Sequence, residues 1–146
     1  MTRNYQVLQA NWIHPRPVER CLEQMKIGRT LNVCCGMSKV GDVRVDIESK
    51  TNRTHYGDLF NLQFEHLSFD TVICDPPFDY YVTGENRFRW IARIADLCRK
   101  RLILSMPALN FSLGRKWARR LFYTDSQQFL FLRLFWVFDR RDEILT

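Results

Sequence analysis

The segment "FLFLRLFWVF", residues 129–138, has no face that suits water. Read as a strand, it sends Phe129, Phe131, Phe135 and Val137 one way and Leu130, Leu132, Leu134, Trp136 and Phe138 the other, so both surfaces need cover. Arg133 interrupts it, and the run is far shorter than the roughly 20 apolar residues a membrane helix needs. It therefore reads as a central strand of a layered sheet. "FDTVICD" (residues 69–75) and "LILSMP" (102–107) are short apolar runs of the same kind. "TLNVCC" (30–35) and "VRVDI" (43–47) also have strand character, the second alternating apolar and polar.

Helical periodicity falls between these runs. Pro15 and Pro17 precede "VERCLEQM", and Gly28 follows it, which predicts a helix over about residues 17–26. Apolar residues Phe88, Ile91, Ala95, Leu97 or Cys98, and Leu102 predict a second helix over 86–101. A basic helix is predicted over 112–120, before the final strand. Strands alternating with helices predict one α/β sheet between helix layers, formed by a single domain spanning residues 1–146.

Composition narrows the setting. With 46% hydrophobic and 26% charged residues the chain can build a core, and disorder is excluded. The N-terminal residues mix polar and apolar types without a signal-peptide pattern, and the five cysteines are odd in number, so reduced thiols and a cytoplasmic location are expected. No CxxC or HxxxH spacing is present, and the adjacent Cys34 and Cys35 point apart on an extended backbone, so no metal site is expected. The net charge of +6 is concentrated in "RFRWIARIADLCRKR" and "GRKWARR", which leans toward a polyanionic partner such as nucleic acid. A solvated helix face explains the first cluster equally well, since Arg89, Arg93, Asp96 and Lys100 recur at helical spacing.

In such sheets ligands bind beyond the carboxyl ends of the strands, so the loops there carry the functional reading. "CCGMSKVGD" offers Gly36, where backbone can approach a ligand, although GxGxxG is absent and a plain turn is an open alternative. Asp46, at the next strand end, can take both hydroxyls of a ribose, or simply end a strand. Asp58, Leu59 and Phe60 offer a carboxylate for an adenine amino group and apolar cover for a ring; a turn explains them as well. "DPPF" is the sharpest signal. Pro76 and Pro77 stiffen the backbone and hold Asp75 and the Pro76 carbonyl as paired acceptors, able to grip an amino group and aim its lone pair. Phe78 offers a ring for a base to stack on, with Tyr80 and Tyr81 close in sequence.

"LNVCCGMSKVGDVRVDI" followed by "FDTVICDPPF" resembles the class I S-adenosylmethionine-dependent methyltransferases, and within them the amino-methyltransferases of nucleic-acid bases, whose hallmark is (D/N)PP(Y/F). The resemblance implies a Rossmann-like, mostly parallel sheet with an antiparallel C-terminal strand near one edge and helices on both faces. Only about eight residues separate "VCC" from "VRVD", so the first crossover helix is expected to be shortened or absent. It further implies that Cys35, Gly36 and Met37 line the methionine end of S-adenosyl-L-methionine, with His14 and Pro15 beside them. Asp46 then holds the ribose, Ile47 lies against the adenine, Asp58 and Leu59 contact it, and Asp75, Pro76, Pro77 and Phe78 receive the target base.

The expected reaction is direct methyl transfer to an exocyclic amino group of a base in DNA or RNA, adenine first. Arg87, Arg89, Arg115 and Lys116 are the candidate phosphate contacts. The chain has no extra stretch for a target-recognition domain, so a partner subunit or homo-oligomer is one expected source of specificity. Guanine-amino methylation of structural RNA, a protein amide or small amine acceptor, and a non-catalytic cofactor- or nucleic-acid-binding subunit are the alternatives; a nicotinamide-binding domain is disfavoured by the missing GxGxxG.

Overall fold

The structure is a computed structural model, and it describes residues 16–76, 89–106, 112–126 and 131–141, the side chains of 122–126 and 131–133 excepted. Helix α1 is Arg16–Met25 and α2 is Arg89–Leu97. The strands are β1 Thr30–Val33, β2 Val43–Asp46, β3 His55–Tyr56, β4 Phe69–Cys74, β5 Cys98–Ser105, β6 Trp117–Ser126 and β7 Phe131–Arg140. They form a seven-stranded sheet in the order β3-β2-β1-β4-β5-β7-β6. Strands β3, β2, β1, β4 and β5 are mutually parallel, and β7 is antiparallel to both of its neighbours. This is the expected mostly parallel Rossmann-like sheet, with its reversed strand next to an edge. Among the described residues, no helix is long and apolar enough to cross a membrane.

Alternation along the strands decides what lies on each face. Leu31, Val33, Val43, Val45, Val72, Cys74, Leu102, Leu104 and Phe138 point to one side, where Trp90, Ile91, Ile94 and Leu97 of α2 cover them. Ile73, Ile103, Phe135 and Val137 point to the other, where Val18 and Leu22 of α1 cover them. The two-faced reading of the last strand therefore holds for its described side chains: Phe135 and Val137 meet α1, whereas Phe138, with Trp136 beside it, joins the α2 side.

The first crossover has no helix, and the reason is visible in β1 and β2. On the face a helix would cover, these strands carry Thr30, Asn32, Arg44 and Asp46, whose polar side chains are already bonded. The buried Asn32 amide donates to Val40 O at 3.0 Å and to Ser38 Oγ at 3.2 Å, and the Arg44 guanidinium donates to Asn52 O at 2.7 Å and Gly41 O at 2.9 Å. Hydrogen bonds do here what an apolar helix face does elsewhere. On the α2 side, Leu59, Leu62 and Phe64, from the connection between β3 and β4, enter the core, and Phe64 meets Phe69 edge-on at 5.2 Å.

Three expectations are corrected. The basic stretch predicted as a helix over 112–120 is a turn followed by β6: Trp117 N donates to Gly114 O at 3.2 Å, and the chain then pairs with β7 from Trp117↔Arg140 to Ser126↔Phe131. A continuous ladder outweighs local helix preference, and the exposed Arg119 and Arg120 suit an outer strand, where charge discourages unwanted pairing. The helix expected to reach residue 101 ends at Leu97, and β5 begins at Cys98, so Leu102 faces the core from a strand. Strand β1 stops at Val33, because Cys34 has φ of 56°.

Gly28, between α1 and β1, has φ of 57°, and a Cβ there would stand 2.3 Å from Asp70 Oδ2. That oxygen accepts from Arg29 N at 3.0 Å, while Oδ1 accepts from Arg99. Bonding to the Arg99 guanidinium is the main reason the Asp70 carboxyl is held below its ordinary value of 3.8. Gly28→Ala is expected to cost more than about 1 kcal/mol, since left-handed backbone and steric overlap add; urea unfolding of the two proteins measures it.

Candidate active site

Strand order reverses between β1 and β4, and in open α/β sheets it is at such a reversal, beyond the carboxyl ends of the strands, that ligands are taken up. The reversal brings together sequence-distant residues. Val33 pairs with Cys74, and Asp75 N donates to Val33 O at 3.4 Å, so the half-buried Asp75 and the buried Pro76 stand directly beside the loop that starts at Cys34. On the other flank, Cys35 N donates to Val45 O at 3.1 Å and Gly36 N to Asp46 Oδ2 at 2.9 Å. The ends of β4, β1 and β2 are thereby tied into one rim.

Each predicted residue that the structure describes has a definite place on or away from that rim. Gly36, at φ of 52°, makes the turn, and its carbonyl accepts from Asn52 N at 2.9 Å. Met37 is half-buried, with its carbonyl held by Asn52 Nδ2 at 2.7 Å. Asp46 is buried and already employed: Oδ2 takes the Gly36 amide and Oδ1 the Glu48 amide, each at 2.9 Å, which leaves further lone pairs on each oxygen. Ile47 is exposed at the rim. Asp58 Oδ1 accepts from Phe60 N at 2.9 Å, the turn geometry its sequence allowed.

The structure separates other candidates from the crevice. Cys35 is buried, its thiol donating to Gly36 O at 3.5 Å, so backbone rather than side chain is what it offers a ligand. Burial, then the nearby Asp46 carboxylate, pushes the Cys35 thiol up to about 12. Leu59 belongs to the core, and the apolar side chains that remain exposed near it are Phe60 and Tyr56. Arg115 and Lys116 precede β6, whose start pairs with the end of β7 at the amino edge of the sheet, a strand's length from Asp75. They cannot share a small ligand with it. Arg89 opens α2, and α2 runs straight into the start of β5, so its exposed side chain lies toward the carboxyl edge. His14, Pro15, Pro77, Phe78, Tyr80, Tyr81 and Arg87 lie outside the described residues.

One residue the sequence reading missed shapes the site. Glu19, in the first turn of α1, accepts from Ser38 Oγ at 3.1 Å and from Lys39 N at 3.3 Å, locking the glycine loop against the helix. Phe60 borders a cavity of about 300 Å³ with Arg89, Trp90 and Arg93. Arg93 is tied down by Asp96 at 3.0 Å and by the carbonyls of Leu62 and Phe64, so Arg89 is the cation there with no hydrogen bond or ion pair among the described residues. A second cavity, of about 440 Å³, lies between α1 and the loop at Met37, Lys39 and Val40, beside the missing crossover helix. Glu19 carried no sequence signal beyond a charge in a helix's first turn.

The sheet has a Rossmann-like order, and the fold is similar to that of solved structures. Over 96% of both chains it superposes with a TM-score of 0.62 on a TehB-like SAM-dependent methyltransferase from Corynebacterium glutamicum, at 15% identity. Over 85% of this chain and 88% of the other, the TM-score to the PH0226 protein of Pyrococcus horikoshii is 0.55, at 13% identity. The sequence matches no protein-family model and no curated protein.

Two expected outcomes follow from the loop. Ser38→Ala removes a hydroxyl that donates to Glu19 and accepts from Asn32 and from Val40 N, and is expected to cost about 1–3 kcal/mol; faster hydrogen exchange at the amides of residues 36–40 is the accompanying sign. The raised Cys35 pKa implies stability that is whole below pH 9.0 and drains away as pH climbs toward 12, because the unfolded thiol ionises first. Denaturation midpoints at pH 8 and pH 10 should therefore differ less in Cys35→Ala than in the parent.

Proposed function

We propose that the chain is an S-adenosylmethionine-dependent methyltransferase acting on an exocyclic amino group of a nucleic-acid base, adenine first. The observation that carries the reading is the backbone tie between Asp75 and the end of β1: the residue ahead of the two prolines sits where strand order reverses, one strand spacing from the turn that starts at Cys34. The fold shared with a TehB-like SAM-dependent methyltransferase supports the choice of cofactor.

The residues present fit that cofactor. Asp46 keeps lone pairs for ribose hydroxyls after holding two amides, the exposed Ile47 and Phe60 offer apolar surface for a purine, and Met37 borders the loop side where an amino-acid end fits. When bound, the cofactor supplies a methyl group on a sulfonium, already a good leaving group. The chain's own contribution is positioning. Asp75 and the Pro76 carbonyl accept the two hydrogens of the substrate amine and direct its lone pair, and Asp75 then lowers the cost of the positive charge that develops on nitrogen. Phe78 takes over stacking lost by a flipped base, and Arg89 at the start of α2 meets a neighbouring phosphate.

Labelled S-adenosylmethionine incubated with DNA, tRNA and ribosomal RNA, followed by identification of the labelled nucleoside, tests this reading. N6-methyladenine is the expected product; a methylated guanine amino group moves the substrate to structural RNA, and no label in any of the three defeats the proposal. Asp75→Ala is expected to lower transfer by at least about 100-fold while cofactor affinity changes less than about threefold. Equal loss of both would assign Asp75 to binding alone.

A further inference from the structure

We propose that Cys34 and Cys74 form an oxidation site, in which a hydroperoxide converts two neighbouring thiols into a disulfide across the point where strand order reverses. Cys74 ends β4 and is paired with Val33, the residue before Cys34. A strand spacing of about 4.8 Å and a rise of about 3.3 Å place the two Cα atoms about 6 Å apart, inside the span a disulfide bridges. In an extended strand Cys34 would point away from Val33's face. Its φ of 56° turns it back, and it packs against the same cluster that holds Val33 and Cys74. Burial, and after it the neighbouring Cys34 thiol, pushes the Cys74 thiol well above its ordinary range.

Their exposures are complementary. Cys34 is half-buried at the crevice, open to a small oxidant, while Cys74 is fully buried and can react only with a neighbour. The remaining cysteines offer no such pair: Cys35 and Cys98 are buried, and Cys21 donates to Met25 Sδ at 3.8 Å within α1. The chemistry balances. The Cys34 sulfur, having lost its proton, attacks one peroxide oxygen; the O–O bond breaks, and the departing oxygen takes that proton, leaving Cys34 as a sulfenic acid. The Cys74 sulfur then attacks the Cys34 sulfur, the S–O bond breaks, and hydroxide leaves with the Cys74 proton as water. Two thiols are oxidised by two electrons and one peroxide is reduced.

Closing the bond draws two sulfurs to about 2.05 Å, shorter than any thiol–thiol contact, and so pulls on the ends of β1 and β4. Gly36 follows Cys34 by two residues and Asp75 follows Cys74 directly, so both halves of the rim move. That this weakens cofactor binding rests on the methyltransferase reading above; the disulfide itself does not.

The test treats the full chain with hydrogen peroxide, blocks free thiols with iodoacetamide, and maps a non-reduced digest by mass spectrometry. A Cys34–Cys74 linked peptide is expected, reversed by dithiothreitol, absent in Cys34→Ser and retained in Cys21→Ser. A Cys34–Cys35 link, or Cys34 arrested as a sulfinic acid, overturns the proposal. Calorimetric titration with S-adenosylmethionine is the second readout, with at least a tenfold loss of affinity on oxidation and recovery on reduction. If the linked peptide forms and reduced protein binds no S-adenosylmethionine, the methyltransferase reading fails while the oxidation site stands; if both states bind equally, the link does not control the crevice.

Discussion

The Asn32 side-chain amide holds this structure's unusual first crossover together. It is buried at the centre of β1, and its two hydrogens go to Ser38 Oγ and Val40 O, so the loop returns over its own strand without a helix. Each such bond contributes only about 1 kcal/mol net, yet leaving a buried amide unpaired costs about 1–3 kcal/mol, so the loop is specified mainly by the penalty of alternatives. The rest of the rim then inherits its position. Ser38 passes the constraint to Glu19 on α1, and Gly36 passes it to Asp46 on β2.

That arrangement explains why Asp46 is both buried and bonded. A carboxylate at a strand end would ordinarily remain hydrated; here one oxygen clamps the preceding loop and the other the following turn. The same group can position the rim and still accept from a sugar, because each ionised oxygen has more than one acceptor direction. A first crossover without a helix does not leave the rim loose where backbone amides are claimed one by one.

Most of the sheet was legible in the sequence because burial on both faces leaves a plain mark. "FDTVIC" and "FLRLFWVF" have few polar positions, and they became β4 and the interior strand β7. The missing crossover helix was legible from loop length, and the polar alternation of "VRVD" turned out to be its physical counterpart. What was not legible depended on partners far along the chain. "GRKWARR" has the composition of a solvated helix, and only the ladder supplied by β7 makes it a strand. Leu59 and Phe60 are adjacent apolar residues in a turn, and nothing local says that the first goes to the core and the second to the surface. The placement of Asp75 beside the end of β1 required the strand order, whereas the opposite location of Lys116 required the direction of β6.

β3 contributes only His55 and Tyr56 to the sheet, both exposed, and its strand pairing is with β2 alone. A margin so thin fluctuates open far more readily than the long β6–β7 ladder on the other side. Any planar molecule resting against Tyr56 or Phe60 therefore finishes a piece of folding as it arrives. Occupancy and local order at that margin are one equilibrium, and the molecule's concentration sets how much of the time the sheet is complete.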